Sequence, residues 1–507
     1  MIGFENIPGS GLVAPLISFE VTSGGQFESN ARHLIIGHAN AGAAIATNEP
    51  IVVTSREEIR NMAGVGSMLD RMGSTAFRNA PVQETWIMAV PATGTAGEWT
   101  LTVANPQPGQ GFMLVGGIPV SVDIVSGDTA ADVAANLAVA INAAYNDITG
   151  ETPEVTAAAN AAVVTCTARH AGQIFIDYDF YIPELVARYT KNAFTGVITK
   201  ANSVTPTGVP DLSTGLAALG DEPFDFVTSP FSDTANLARY DATFGDVSGR
   251  FSYARQSYGH VLTVATDTIS ALTTTGLGRN SRHETIVPRF SAAGNAEPAW
   301  AWAAAAMSSV ITQASDGVTA GAAANQTGIV MQGITAPRSR ALHPAYPTRN
   351  TLNRSGISTW SVTGDGKVAI DKLITTYQRD PLGQVDTTFR DIQWYYPTIY
   401  FLRLARQMFA IEHGRHVIAD ANPGGLLKVS TTRTIAGTLV RAYEKCGLQG
   451  LMENPELFAK RLVVRRNADN PNRVDVFAPL DRSNPLDVIA SNARLYSQIN
   501  EANVAAA

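Results

Sequence analysis

The chain has 507 residues, of which 45% are hydrophobic and only 16% charged, with a formal net charge of −7. This length supports about two to four domains with ample core, and the hydrophobic content excludes a disordered chain. The acidic balance, without a basic stripe, argues against direct nucleic-acid binding, while so sparsely charged a surface suits either a subunit buried among its own copies or a monomer of unusual composition.

Residues 1–25 carry Pro8, Pro15 and several glycines around Leu16-Ile17-Ser18-Phe19-Glu20-Val21. This reads as an extended arm with one short strand, either frayed or docked, because it lacks the periodicity to make its own core. Residues 33–37 and 51–53 are short buried strands. Thr54-Ser55-Arg56-Glu57 offers a capping box, with the Thr54 hydroxyl and the Glu57 carboxylate serving each other's backbone donors, for a helix carrying Ile59, Met62 and Met68. Residues 86–90 are a further strand. Strand, helix, strand in this order predicts an α/β sheet, built from residues 26–91 and again from 202–350.

From Ala92 the composition changes. Residues 100–103 and 118–124 alternate as strands, Asp128 caps a helix that aligns Val133, Leu137 and Ile141 on one face, and apolar runs follow at 163–166 and 174–176. Residues 92–201 therefore read as a β-rich α+β insertion. Beyond it, 224–228, 259–265 and 283–287 are strands. Asp233 caps a helix through Leu237 and Tyr240, and Pro298 stands in the first turn of an alanine-rich helix. The most apolar run, 299–311, is too short for a bilayer core of about 30 Å. No charged n-region precedes Arg32, so neither a signal peptide nor membrane insertion is expected.

Residues 352–360 read Leu-Asn-Arg-Ser-Gly-Ile-Ser-Thr-Trp, 363–367 Thr-Gly-Asp-Gly-Lys, and 374–380 Ile-Thr-Thr-Tyr-Gln-Arg-Asp, before Asp386 and residues 387–392. The two glycines take φ > 0 freely and Asp365 tolerates it, so 363–367 suit a tight turn, in a hairpin that leads to a helix. A phosphate-binding loop would need glycine where Ser361 stands and Ser or Thr at Val368. A helix from about Thr398 to His413 turns Leu402, Met408 and Phe409 inward. Another carries Ile435, Leu439 and Tyr443 and stops at Gly447, and Asn454-Pro455-Glu456 starts a short third. Residues 462–465 and 473–479 form a strand pair around Asn470-Pro471-Asn472. The stretch to Ile499 reads as an extended strand with an alanine tail.

The order of elements over 352–392 resembles the core of the tail sheath proteins of contractile phages, best in their Mu-type branch. Asn472-Arg473-Val474-Asp475-Val476 with Pro479 and Asn484-Pro485-Leu486 is a second piece of that pattern, at the expected end. The resemblance implies an α/β, overall α+β, multidomain subunit. It would have a mixed-sheet core, the insertion 92–201 protruding outward, a C-terminal sheath-like domain over 351–480, and extended arms at 1–25 and 481–507. It further implies that the arms add strands to neighbouring subunits, through Leu16, Ile17, Phe19 and Val21 at one end and Leu486, Val488, Ile489, Leu495 and Tyr496 at the other. Lys460, Arg461, Arg465 and Arg466 form the strongest basic cluster, which meets acidic patches on the tube or on other subunits, or is a solvated edge. The implied partners are further copies in a helical sheath, the tail tube protein, and baseplate and tail terminator proteins. Assembly in the host cytoplasm would place the chain in the virion tail, and contraction would drive the tube through the host envelope during genome ejection. The alternatives are a bacteriocin or secretion-type sheath, and an α/β hydrolase with a subtilisin-like core.

Chemistry is sparse. Cys166 and Cys446 are far apart and outside any Cys-x-x-Cys spacing, which suits buried thiols from a reducing compartment. Of eight histidines only His413 and His416 are close, and without a partner at ligand spacing they read as a cationic helix end when protonated. No Gly-x-Ser-x-Gly elbow or local triad motif is present. No catalytic, cofactor-binding or metal residue, and no cofactor, is expected.

Overall fold

Leu34, Ile35 and Ile36 of the strand His33–Gly37 are fully buried, as befits a parallel strand covered on both faces. The strand lies inside a six-stranded sheet of the computed structural model, which describes residues 31–187, 190–291, 294–493 and 495. The order is Glu284–Phe290, His260–Asp267, Phe226–Thr228, His33–Gly37, Thr85–Ala89 and Pro50–Val53. Neighbours are parallel except the last pair, which is antiparallel. Strands from 33–89 thus form one half and strands from 226–290 the other, joined in register by Leu34 opposite Val227.

The helices Met68–Asn79 and Ala299–Ala314 pack on each other and on this sheet. Every residue from Ala301 to Ser308 is buried. A helix apolar all round has no solvent face, and its alanines let neighbours approach closely. Asp225, fully buried just before Phe226–Thr228, anchors the helix Tyr395–His413. Its Oδ1 lies 2.8 Å from the Arg403 guanidinium and accepts the Tyr395 hydroxyl at 3.3 Å. Tyr395 and Tyr396 also lean on Phe226, with ring centroids 5.6 and 6.3 Å away.

Between the halves of the sheet the chain builds two antiparallel sheets. One has the order Ile198–Val204, Ala96–Val103, Val163–Ala171, Val155–Asn160, and the other Ile118–Ile124, Gly109–Val115, Phe180–Tyr181. The helix Ala130–Ala143 buries Val133, Leu137 and Ile141 completely against them. The chain enters and leaves side by side: Thr95 N–H donates to the Thr207 carbonyl at 3.0 Å, and Thr207 N–H to Thr95 at 3.1 Å. Gly94 (φ 93°) and Gly208 (φ 99°) flank this crossing, where a Cβ would come within 2.0 and 2.1 Å of the opposite backbone, so no other residue fits there.

This intervening segment is fastened by buried polar and charged groups to the helices Met68–Asn79 and Ala299–Ala314 that pack on the sheet. Glu151 meets Arg71 at 3.5 Å and Arg78 at 3.0 Å. Glu154 accepts the Trp300 indole N–H at 3.0 Å and the Tyr178 hydroxyl at 2.8 Å, and Glu297 accepts from Thr335. Burial opposes charge on Arg71, but Glu151, Glu154 and Glu297 outweigh it and hold the guanidinium above its ordinary value. Burial raises both Glu154 and Glu297 above the ordinary 4.5.

The structure corrects several local expectations. Ser55, not Thr54, caps the first helix, Arg56–Ala63. Its side chain accepts from Glu58 N–H, and the Glu58 carboxylate reaches back to Thr54. The expected single helix is two, because Gly64 (φ 90°) and Gly66 (φ 69°) interrupt it and Met68 starts the second. Thr129, in a box with Asp132, caps Ala130–Ala143, while Asp128 closes the preceding turn onto Val125. The apolar run 174–176 falls on a 3₁₀ turn over residues 173–175. Pro298 is the N-cap of its helix, one position before the first turn. The helix expected from Thr398 starts at Tyr395, and Leu402 points outward at 37% exposure while Leu404 is buried. The helix expected to stop at Gly447 is Thr432–Leu448. Of the two glycines in the 363–367 turn, only Gly366 takes positive φ.

Two predictions follow from the buried charges. Arg403→Met leaves Asp225 buried without its cation, and is expected to cost about 3–5 kcal/mol in denaturant unfolding. For Glu154 and Glu297, the stability gained by staying neutral is fully present below pH 4.5 and is lost as pH rises through their raised values. Glu297→Gln is neutral at every pH, so its melting temperature is expected to vary less with pH than the wild type's above pH 4.5.

Candidate functional site

The hairpin strands Thr359–Val362 and Lys367–Lys372 pair as the sequence predicts, in a three-stranded sheet with Val330–Thr335. In the turn, the Lys367 ammonium is 2.9 Å from Asp365. Hydrogen bonds from Thr363 and Lys367 pull Asp365 down to about 2. The lysine is thus tied to its own turn, unlike one that reaches for a phosphate.

Three helices of the C-terminal half pack on one another. Tyr443 of Thr432–Leu448 stacks on Phe458 of Pro455–Arg461, with centroids 3.9 Å apart and planes 4° apart, and Phe401 of Tyr395–His413 meets both edge-on. His413 places Nδ1 2.7 Å from Ser430 Oγ and Nε2 2.9 Å from Thr438 Oγ1, and His416 Nδ1 is 3.0 Å from the same Ser430. Burial lowers the His413 pKa, and its two ring nitrogens tie the helix end to two hydroxyls. Among the described residues no group of three or more His, Cys, Asp or Glu could hold a metal, and no helix is long and apolar enough to cross a membrane. Cys166 and Cys446 are buried free thiols, pushed up to about 12 by desolvation.

The strands Val463–Arg466 and Val474–Phe477 pair antiparallel, with Arg465 opposite Asp475. They form a sheet of only two strands, and among the described residues both outer edges are open. Apolar side chains stand exposed on it: Val476 at 43% and Phe477 at 64%. The basic cluster sits here and divides. Arg466 is engaged within the subunit, with Asp420 at 3.2 Å and the Pro471 carbonyl at 2.8 Å. Lys460, Arg461 and Arg465 are exposed and have no ion-pair partner among the described residues.

From this hairpin the chain returns across the helices. Glu453 N–H donates to the Asp481 carbonyl at 2.8 Å, Ser483 N–H to Leu451 at 3.1 Å, and Asp481 N–H to the Tyr443 hydroxyl at 3.1 Å. Asn325 Nδ2 then donates to the Leu486 carbonyl at 2.7 Å. The Lys372 ammonium bridges Asp487 and, at 3.1 Å, Asp391. Asp487 and Val488 border a cleft of about 650 Å³ that Arg349, Asp371, Lys372 and Arg390 also line. Leu486, Val488, Ile489 and Leu495 are exposed. In the described part of the arm no strand is paired within the subunit. Leu16, Ile17, Phe19, Val21 and Tyr496 lie outside the described residues. The exposed pair Val476-Phe477 and the bridging Lys372 were missed. Adjacent apolar residues in a hairpin were a local signal for the first, whereas nothing near Lys372 in sequence announces Asp487.

Residues 206–376 match the family model of the phage tail sheath protein central domain, beginning just past the strand Ile198–Val204. Over 496 residues the chain is 27% identical to the Mu-like prophage FluMu tail sheath protein of Haemophilus influenzae, covering 94% of this chain and 96% of that protein. The chain is thus similar to phage tail sheath proteins, in its central part by the family model and along nearly its whole length by the relative. Similar solved structures are the sheath tail protein Lin1278 from Listeria innocua, at TM-score 0.46 and 11% identity over 90% of this chain and 93% of that one, and the anti-feeding prophage baseplate, at TM-score 0.41 and 13% identity over 96% and 99%. The likeness first read from residues 352–392 and 473–486 therefore extends along nearly the whole sheath protein. It is a structural subunit of a contractile tail, a virion component that works in an oligomeric sheath.

Proposed function

We propose that this sheath protein polymerises helically around a tail tube through donated strands, and that contraction of the lattice drives the tube through the host envelope during genome ejection. The observation that carries the strand-donation reading is the open two-stranded sheet of Val463–Arg466 and Val474–Phe477, in the same chain as an exposed apolar C-terminal segment. A lone two-stranded sheet is marginal in water, and unpaired edges are templates for another chain. Strand addition supplies main-chain hydrogen bonds between one patch and a different patch on the next copy, the heterologous contact that an open helix needs. Each bond is worth about 1 kcal/mol net, so a link stays flexible while the lattice sums many of them. The donors are the segments around Leu16, Ile17, Phe19 and Val21 and around Leu486, Val488, Ile489, Leu495 and Tyr496.

In this reading residues 26–91 and 202–350 make the core domain, 92–201 the protruding insertion and 351–480 the C-terminal domain, with arms at 1–25 and 481–507. The adjacent entry and exit at Thr95 and Thr207 support an insertion. Lys460, Arg461 and Arg465 supply exposed positive charge for acidic patches on the tube or on neighbouring subunits. The partners are the tail tube, baseplate and tail terminator proteins, with assembly in the host cytoplasm. The subunit is not an enzyme: the extended lattice is held in a kinetic trap above the contracted one, and release needs no nucleotide.

Negative-stain microscopy of the purified chain tests this reading. Wild type is expected to form hollow tubes, whereas deletion of residues 1–22 is expected to leave a folded protein that forms none. Tubes at normal yield from that deletion would refute the arm assignment. Phe477→Ser, at an exposed position, is expected to shift unfolding by no more than about 0.5 kcal/mol while reducing tube yield.

A further inference from the structure

We infer that Arg482, Asp391, Lys372 and Asp487 form a clamp that fixes the root of the C-terminal arm to its own subunit, so that the donated part of the arm begins at Val488. This rests on the strand-donation reading and narrows it: Leu486, whose carbonyl is bonded within the subunit, belongs to the fixed root, and donation starts at Val488.

The four charges alternate. Arg482 of the arm lies 4.0 Å from Asp391 of the body, Asp391 lies 3.1 Å from Lys372, and Lys372 meets Asp487 of the arm. Both ends of a short arm segment are thus pinned to one acidic-basic pair of the body. The side chains of Asp391, Arg482 and Lys372 are 9%, 17% and 21% exposed, which lifts this network above an ordinary solvent-screened surface pair. Arg390, 3.4 Å from Asp391, adds a further cation from the body. Backbone bonding gives the same boundary independently. Asp481, Ser483 and Leu486 all have main-chain groups bonded within the subunit. Residues 488–493 make no hydrogen bond among the described residues, and Val488 and Ile489 are 76% and 79% exposed. A segment with unpaired backbone and apolar side chains is suited to join another sheet. A fixed root immediately before it is what allows the joined strand to transmit load from the neighbour to the body.

The test uses the full chain with Asp487→Lys, which repels Lys372, and Asp487→Glu, which keeps the charge. In unassembled protein, Asp487→Lys is expected to speed hydrogen exchange of the Asp481 and Ser483 amides, both bonded within the subunit, with Asp487→Glu close to wild type and the melting temperature of both variants unchanged. The concentration needed for tube formation is expected to rise roughly fivefold for Asp487→Lys and to stay at the wild-type value for Asp487→Glu. Unaltered exchange of the Asp481 and Ser483 amides in Asp487→Lys, or tubes at the wild-type concentration, overturns the clamp. Normal tubes from a chain ending at Asp487 would instead overturn donation by this arm, while the exchange experiment still judges the clamp.

Discussion

The parallel pairing of His33–Gly37 with Phe226–Thr228 is the constraint on which the rest of the subunit depends. Each strand closes one half of the six-stranded sheet, and neither half would be covered on both sides without the other. The pairing forces the long segment between them to leave and return at nearly one place. Hence Thr95 and Thr207 exchange hydrogen bonds, and Gly94 and Gly208 face each other where no Cβ fits. It also brings Asp225 to the start of a central strand, where Arg403 and Tyr395 of a distant helix reach it.

Charge is used in two ways in this molecule. Buried groups, such as Arg71 among Glu151, Glu154 and Glu297, join separate parts of the chain in one relative placement. Ions withdrawn from water tolerate little displacement, so such contacts specify geometry more than they add stability. At the arm and hairpin the charges are only partly buried, and apolar side chains and strand edges are open. A subunit whose body is held rigid while its links remain exposed is suited to a lattice that changes shape without coming apart.

Where periodicity was strong, the sequence was a good guide. Val133, Leu137 and Ile141 line one buried helix face, the strands His33–Gly37 and Val463–Arg466 stand within a residue of expectation, and the 363–367 turn closes a hairpin. Local chemistry misled by one residue at the caps, because Ser55 and Thr129 have neighbours that can also accept from a helix N-terminus, and only backbone direction chooses between them. Leu402 was misplaced because the wrong apolar face was chosen: Leu404 is buried, and a residue two positions away stands about 200° round the helix.

The residues alone determined the element types, the sheath resemblance and the lack of recognisable catalytic motifs, since these rest on alternation, turn residues and short-range order. Tertiary structure decided which charges meet. Lys372 between Asp391 and Asp487, Arg466 with Asp420 and Glu154 under Trp300 join residues far apart in sequence. Their pairing depends on how sheets and helices stack in space, and local pattern carries no record of that.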